Sequence, residues 1–273
     1  MKHRILHSTD LPDRLPALAN ELGVSLDDLQ LALAWSLAND VIFEDGEGEG
    51  KRFWISSIDI EPRIEQPVAR RLYHRLKQDI PTQLLPIYGK NWNTLKDRWR
   101  NAWDMAYNIV INKIPSHHVR LAWLRLGGAK IGKGSSIWRN TEVLGMHNLI
   151  IGDDTVVAWH CVVDARAGLV IGDHVAIASH VLIIAGSHDL QAPEFWSISG
   201  PIYIEDYVWI GTRALIGFGT RLGRGSVVTA NTVIGKNIAP YKIVGGSGAK
   251  TMGERNHNLT YKVGGKGLFT LFH

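Results

Sequence analysis

From Ile131 to Ala239 an aliphatic residue returns at every sixth position, often with Gly directly behind it. The longest run holds Ile204, Ile210, Ile216, Leu222, Val228 and Ile234 in one register, and shorter runs start at Ile131 (I-G-K-G-S-S), Ile151 (I-G-D-D-T-V) and Ile171 (I-G-D-H-V-A). One inward aliphatic per block of six describes short extended sides joined by tight turns, because side chains alternate faces along a strand and Gly relieves crowded backbone. Three blocks close one coil. Coils stacked about 4.8 Å apart then align their Ile and Val into continuous ladders, a core that no single coil can bury alone. The intervals from Ile131 to Ile151 and from Ile151 to Ile171 exceed three blocks by two residues, which predicts small insertions at a corner. The interval from Ile171 to Ile204 exceeds three blocks by 15 residues, so a loop over 187–201 is expected to leave the prism. An interruption in a regular solenoid points to function.

The chain as a whole reads as an ordinary soluble protein, with 45% apolar and 21% charged residues among 273. It has no apolar run of spanning length and no signal-peptide core at its start, so a cytoplasmic location is expected. A formal charge of +4 without a basic stripe interleaved with aromatics argues against nucleic acid as a partner. The single cysteine, Cys161, lies inside a repeat block and is expected to be a packed wall residue.

Residues 1–125 lack the six-residue rhythm and read as an α-helical region. Ser25 and Asp28 form an N-cap and capping-box pattern ahead of a helix over 26–39, and further helices are expected over 66–77 and 92–111. The last carries Trp92, Leu95, Trp99, Trp103 and Ala106 on one stripe beside Lys96, Arg98 and Arg100. Such a stripe suits a membrane surface, but packing against other helices or the first coil, shielding an open edge, is the preferred reading. The expected organisation is an α-helical region over 1–125, the solenoid over 126–255 and a tail over 256–273.

For chemistry the strongest candidate is His188 in A-G-S-H-D-L, where the chain leaves the prism, because a neutral imidazole can take a proton from an alcohol or amine. Asp189 is placed to orient the loop or the ring. The repeat, the H-D at the loop entry, the P-I-Y-I-E-D-Y-V-W-I-G-T segment and the closing I-A-P-Y-K-I-V-G-G-S-G-A-K together resemble the hexapeptide-repeat acetyltransferases. Over roughly 127–255 the chain is most similar to sugar and polysaccharide O-acetyltransferases of the galactoside, maltose and colanic-acid type. The resemblance implies a left-handed parallel β-helix, a homotrimer with acetyl-CoA bound between subunits, and His188 as general base on an acceptor hydroxyl in a ternary complex. It also implies contacts to the pantetheine arm from Trp209, Gly211, Thr212 and Ala230, and phosphate contacts from Lys250 and more weakly Arg255. No metal is expected. The chain departs from the family turn A-G-N-P-A-K, having Gly245, Gly246, Ser247, Gly248, Ala249 and Lys250 instead, and Gly235 stands where Thr is frequent.

His160 and His180 each lie nine residues past a coil anchor, so they are expected to stack one coil apart, with Arg213 in the same place on the next coil. This polar ladder is assigned to the acceptor cleft or a subunit contact. Trp196 and Phe195 in the loop are candidates for stacking on a sugar ring. The function expected is O-acetyl transfer to a saccharide or sugar-containing metabolite. The alternatives are N-acetyl transfer to an amino sugar, a non-catalytic β-helix scaffold, and a zinc enzyme resembling the γ-class carbonic anhydrases, which bind the metal through three histidines at the subunit interface.

Overall fold

The computed structural model describes residues 3–8, 11–45, 51–56, 64–79, 95–191, 193, 195, 197–246 and 248–264. They divide into two compact units: Met1–Asn93 with Ser187–Gly200, and Thr94–Gly186 with Pro201–His273.

The second unit is the prism. Its first face stacks Lys130–Ile131, Leu149–Ile151, Leu169–Ile171, Ile202–Ile204 and Arg221–Leu222; its second runs from Ser136–Ile137 to Lys242–Gly245; its third runs from Glu142–Leu144 to Val233–Ile234. Anchor pairs with anchor in parallel register, Ile131 with Ile151, Ile151 with Ile171, Ile171 with Ile204 and Ile204 with Leu222. The pairing of Ile171 with Ile204 shows that the long interval is one coil plus an excursion. Both two-residue insertions and the excursion leave from the third corner, after Val143, Val163 and Ile183. The inward Ile137, Val157, Ile177, Ile210 and Val228 are buried almost completely. Each fully buried aliphatic of this kind contributes about 1.5–3 kcal/mol.

The I-G-D blocks have a direct steric reason. A Cβ on Gly152 would lie 2.1 Å from Asp173 Oδ1, and one on Gly172 would lie 2.4 Å from Asp206 Oδ1. The space left by glycine admits the aspartate of the next coil, whose Oδ1 accepts the backbone N–H of the aspartate below: Asp153 N–H donates to Asp173 at 2.6 Å and Asp173 N–H to Asp206 at 2.9 Å. Two residues before the anchors Ile137, Val143 and Val157, at two corners, stand buried hydroxyls that donate to carbonyls of the next coil. Ser135 reaches Gly152, Thr141 reaches Ala158 and Thr155 reaches Gly172 at 2.6–2.8 Å. Cys161 takes the equivalent place above Thr141, whose Oγ1 accepts its N–H at 3.3 Å; its thiol is 3.2 Å from Ala178 O, and burial pushes its pKa up to about 11. It is the packed wall residue expected.

Two helices close the start of the prism, α4 (Leu95–Ile109) and α5 (His117–Leu126), and they belong to this unit because Tyr107, Leu121 and Leu124 join its core. The boundary expected at 125 therefore falls earlier. Asn108 acts as a missing strand neighbour: it donates to Val143 O and accepts from Val143 N–H, both at 2.9 Å. The buried Arg120 donates twice to Ile137 O, at 3.1 and 3.0 Å. The first coil's backbone groups thus find partners instead of forming a bare edge. The tryptophan stripe splits across this arrangement. Trp103 stacks on Trp123 at 3.9 Å, whereas Leu95 and Trp99 remain exposed, because the capping face runs through Asp104, Tyr107 and Asn108. Trp92 lies outside the described residues.

The first unit contains α1 (Leu11–Leu22), α2 (Leu26–Ala38) and α3 (Pro67–Asp79), with Ser25 capping α2 by accepting Asp28 N–H at 3.1 Å. It also contains strands that helical periodicity did not reveal: β1 (His3–Ser8), β2 (Ile42–Asp45) and β3 (Arg52–Ser56). Their sheet continues through Ser197–Ser199 to Gly186–His188, with β1 parallel to Ser197–Ser199 and antiparallel to β3. The described strands at the two ends of the excursion are therefore part of the N-terminal sheet. No described helix is long and apolar enough to cross a membrane.

Candidate active site

The second corner of the prism, between its second and third faces, repeats one left-handed residue in every coil. Asn140, His160, His180, Arg213 and Asn231 have φ between 56 and 62°. Identical backbone in adjacent coils aligns identical side chains, so the His160 and His180 rings stack parallel, with centroids 5.1 Å apart and planes 6° apart. Arg213 continues the column, its N–H donating to Ser179 O at 3.3 Å. Trp138 and Trp159 meet edge to face at 4.5 Å just before the corner.

Four of the residues expected to meet pantetheine lie on the approach to the same corner, in the next coils. Trp209 projects from the second face and is 43% exposed. A Cβ on Gly211 would lie 2.6 Å from Ala230 N, so these two positions touch backbone to backbone. Thr212 O accepts Asn231 N–H at 2.9 Å, and Thr212 and Ala230 are both exposed. Lys250 pairs with Gly245 in the hairpin that ends the second face, and Thr229, which precedes Ala230, donates its N–H to Val244 O at 2.9 Å. Lys250 thus sits at the top of the same edge. The turn before it, in place of the family's proline, uses Gly246, Gly248 and Ala249 at positive φ.

Arg255 is placed elsewhere. Its guanidinium donates to Tyr207 O at 2.7 Å and Tyr261 Oη at 3.1 Å, at the first corner, so its planar fork of donors is engaged in fastening the chain's end.

His188 belongs to the first unit. Its ring lies flat on Phe195, with centroids 4.1 Å apart and planes 4° apart, and Nδ1 is 3.3 Å from Phe195 O. A carbonyl oxygen only accepts, so this contact selects the tautomer with the proton on Nδ1 and leaves Nε2 with its lone pair. Phe195 itself holds a left-handed backbone, φ 48°, an uncommon conformation for a bulky residue. Asp189 orders the turn by accepting Gln191 N–H at 3.0 Å. Phe195, a candidate for stacking on a sugar, here lays its ring on the imidazole, a contact across seven residues that no spacing rule signals. Trp196 lies outside the described residues.

Three comparisons bear on this arrangement. No family model matches the chain. Over 132 residues it is 30% identical to the putative colanic acid biosynthesis acetyltransferase WcaF of Escherichia coli K12, covering 48% of this chain and 72% of that one. The chain belongs to the hexapeptide-repeat acetyltransferases. A solved hexapeptide-repeat acetyltransferase of Vibrio cholerae, in complex with acetyl coenzyme A, superposes with a TM-score of 0.58 at 27% identity, over 63% of this chain and 96% of that one. A maltose O-acetyltransferase from Clostridium difficile shares the fold, with a TM-score of 0.53 at 21% identity, over 58% and 86% of the two chains. The prism of this hexapeptide-repeat acetyltransferase is accordingly a left-handed parallel β-helix, and the chain is an acyltransferase. Among the described residues of this one chain no three His, Cys, Asp or Glu side chains gather as metal ligands.

Proposed function

We propose that this acetyltransferase is a cytoplasmic enzyme that moves the acetyl group of acetyl-CoA to a hydroxyl of a saccharide or sugar-containing metabolite, with His188 as general base. The observation that carries the reading is the His188–Phe195 contact. A base must present an unprotonated nitrogen in a fixed direction, and donation from Nδ1 to Phe195 O leaves Nε2 to accept the acceptor's proton. The name of the Escherichia coli relative supports a saccharide acceptor.

The residues along the second corner fit the donor. Gly211 and Ala230 present backbone with little side chain in the way, Thr212 offers an exposed hydroxyl, and the exposed Lys250 offers a cation to phosphate. Trp209 provides an exposed indole wall for the pantetheine arm. Acetyl-CoA supplies an activated thioester whose thiolate leaves readily, so the protein's work is to hold two reactants and remove one proton. His160 and His180, together with Trp196, are assigned to the acceptor. The assembly is proposed to be a homotrimer with active sites between subunits, which equilibrium sedimentation tests.

His188→Ala is expected to lower kcat by roughly 10²-fold or more while CoA affinity, read by thermal shift, stays within about twofold. Wild-type turnover in this variant removes His188 as the base. Lys250→Ala is expected to weaken CoA binding with little change in kcat; unchanged affinity removes Lys250 from the donor edge.

A further inference from the structure

The outer face of α4 is apolar and open. Leu95, Trp99, Met105 and Ile109 are exposed by 84, 67, 60 and 58%, and Val110 continues the stripe at 57%. Spacings of about one helical turn put these residues on one side, with the exposed Ala102 between them. The opposite side is fully accounted for by Trp103, Asp104, Tyr107 and Asn108, which cap the prism. Trp99 meets Trp103 at 6.0 Å, which ties the exposed ring to the packed one.

The charge of this end is equally uneven. Residues 95–140, which hold α4, α5 and the start of the first coil, contain nine Lys and Arg against two Asp, a formal +7 in a chain whose total is +4. All remaining residues together are therefore net negative, at −3. One acid and one cation of this set are withdrawn from the outer face, Asp104, whose carboxylate accepts Gly145 N–H at 2.7 Å, and the buried Arg120, so the excess of positive charge is unchanged. Arg98 flanks the stripe near its start, and Lys113 flanks its end, with Nζ donating to Ile109 O at 2.8 Å.

We propose that the α4 end of the prism docks on the surface of an anionic bilayer. Trp99 sits at the headgroup level, Leu95, Met105 and Ile109 enter the acyl boundary, and Arg98 and Lys113 meet lipid phosphates. A soluble polyanion would use the cations and leave the stripe in water. A neutral apolar partner would use the stripe and gain nothing from the concentration of charge. An anionic membrane uses both, and α4 lies along it without spanning it.

The test is sedimentation of the full chain with vesicles of phosphatidylcholine alone or mixed with phosphatidylglycerol, at low and high salt. Binding is expected only to the mixed vesicles and is expected to weaken with salt. Trp99→Ser with Ile109→Ser, and separately Arg98→Glu with Lys113→Glu, should each reduce it by roughly tenfold or more. Leu95→Ser with Ile109→Ser leaves Trp99 in place and should act in the same direction, with the thermal transition unchanged in all three. No binding of the wild type to mixed vesicles overturns the proposal, as does binding that survives the serine variants. Loss in the charge variant alone, matched by heparin binding, reassigns the end to a soluble polyanion. A smaller mass by light scattering in the serine variants, without vesicles, reassigns the stripe to a contact between copies of the chain.

Discussion

The first and second corners of the prism use the same backbone for opposite purposes. Both place a left-handed residue three positions after each anchor: Asp154, His174 and Tyr207 at the first, His160, His180 and Arg213 at the second. At the first corner the side chains engage one another and the end of the chain. Asp154 accepts from His174 Nδ1 and from the N–H groups of Val263 and Gly264, all at 2.8 Å, while His174 stacks on Tyr207 at 4.6 Å and Arg224 lies 5.0 Å over the Tyr207 ring. At the second corner the His160 and His180 rings stack on each other, and no side-chain hydrogen bond joins these two or Arg213 to another described residue. The turn requires left-handed backbone, which Gly, Asn, Asp and His adopt more readily than other residues, so Tyr207 and Arg213 at these places need a further reason. At the first corner that reason is visible in the protein's own contacts. At the second the visible contact is the stacking of His160 on His180, and we propose that the acceptor meets the column there.

The contrast breaks most readily at Arg255. Replacing it by Ala removes donors to Tyr207 O, Gly225 O and Tyr261 Oη, and should destabilise the chain by about 2 kcal/mol, since hydrogen bonds from a charged group contribute more than neutral ones. CoA affinity should not change, because the residue serves the first corner. A loss of CoA affinity without a fall in the thermal midpoint would instead return Arg255 to the phosphates and erase the division between corners.

A second test of the first corner uses pH. Burial works to raise the pKa of Asp154, but hydrogen bonds from His174 and from the amides of Val263 and Gly264 outweigh it and hold the carboxyl below its usual range. The folded state thus binds this proton less tightly than the unfolded chain. Its stabilising contribution is full above the ordinary Asp pKa of about 4 and is lost as pH falls through the lower folded value. Amide exchange at Val263 and Gly264, compared with that of the prism core, should report early release of the segment in acid. In Asp154→Asn this particular pH dependence should vanish, and an unchanged acid profile would show that other carboxylates govern it.

Much of the prism was legible because its period is local and strict. The anchors from Ile131 to Ile234, the interruption after Ile183 and the stacking of His160 on His180 all follow from counting in sixes. What was not legible depends on contacts between distant segments. The sheet that joins β1 to Ser197–Ser199 pairs His3 with Ser197, and helical periodicity in the first region gave no sign of it. Asn108 and Tyr107 close the first coil from within a helix whose tryptophans drew the eye to a different stripe. Arg255 entered as a weaker phosphate contact implied by the resemblance; its backbone N–H donates to Tyr241 O at 2.8 Å and its guanidinium to Tyr207 O, contacts at the first corner that a family motif does not signal. The orientation of His188 rests on a carbonyl, which carries no side-chain signature at all.

The smallest effect on stability should come from the second corner, and that is where the comparison can be made most exact. His160→Ala and Arg213→Ala remove exposed side chains without hydrogen bonds to the described residues, so each should shift stability by less than about 0.5 kcal/mol. If the column meets the acceptor, the same variants should raise KM for the acceptor and leave both kcat and CoA affinity close to wild type, the signature of binding shared equally by ground and transition states. If it is a contact between subunits, they should instead make the thermal midpoint depend more steeply on protein concentration, since assembly stabilises by mass action. A structural ladder of the kind seen at the first corner predicts neither result but a loss of stability comparable to that of Arg255→Ala. Three readouts on two substitutions therefore separate the roles that identical backbone at two corners leaves equally open.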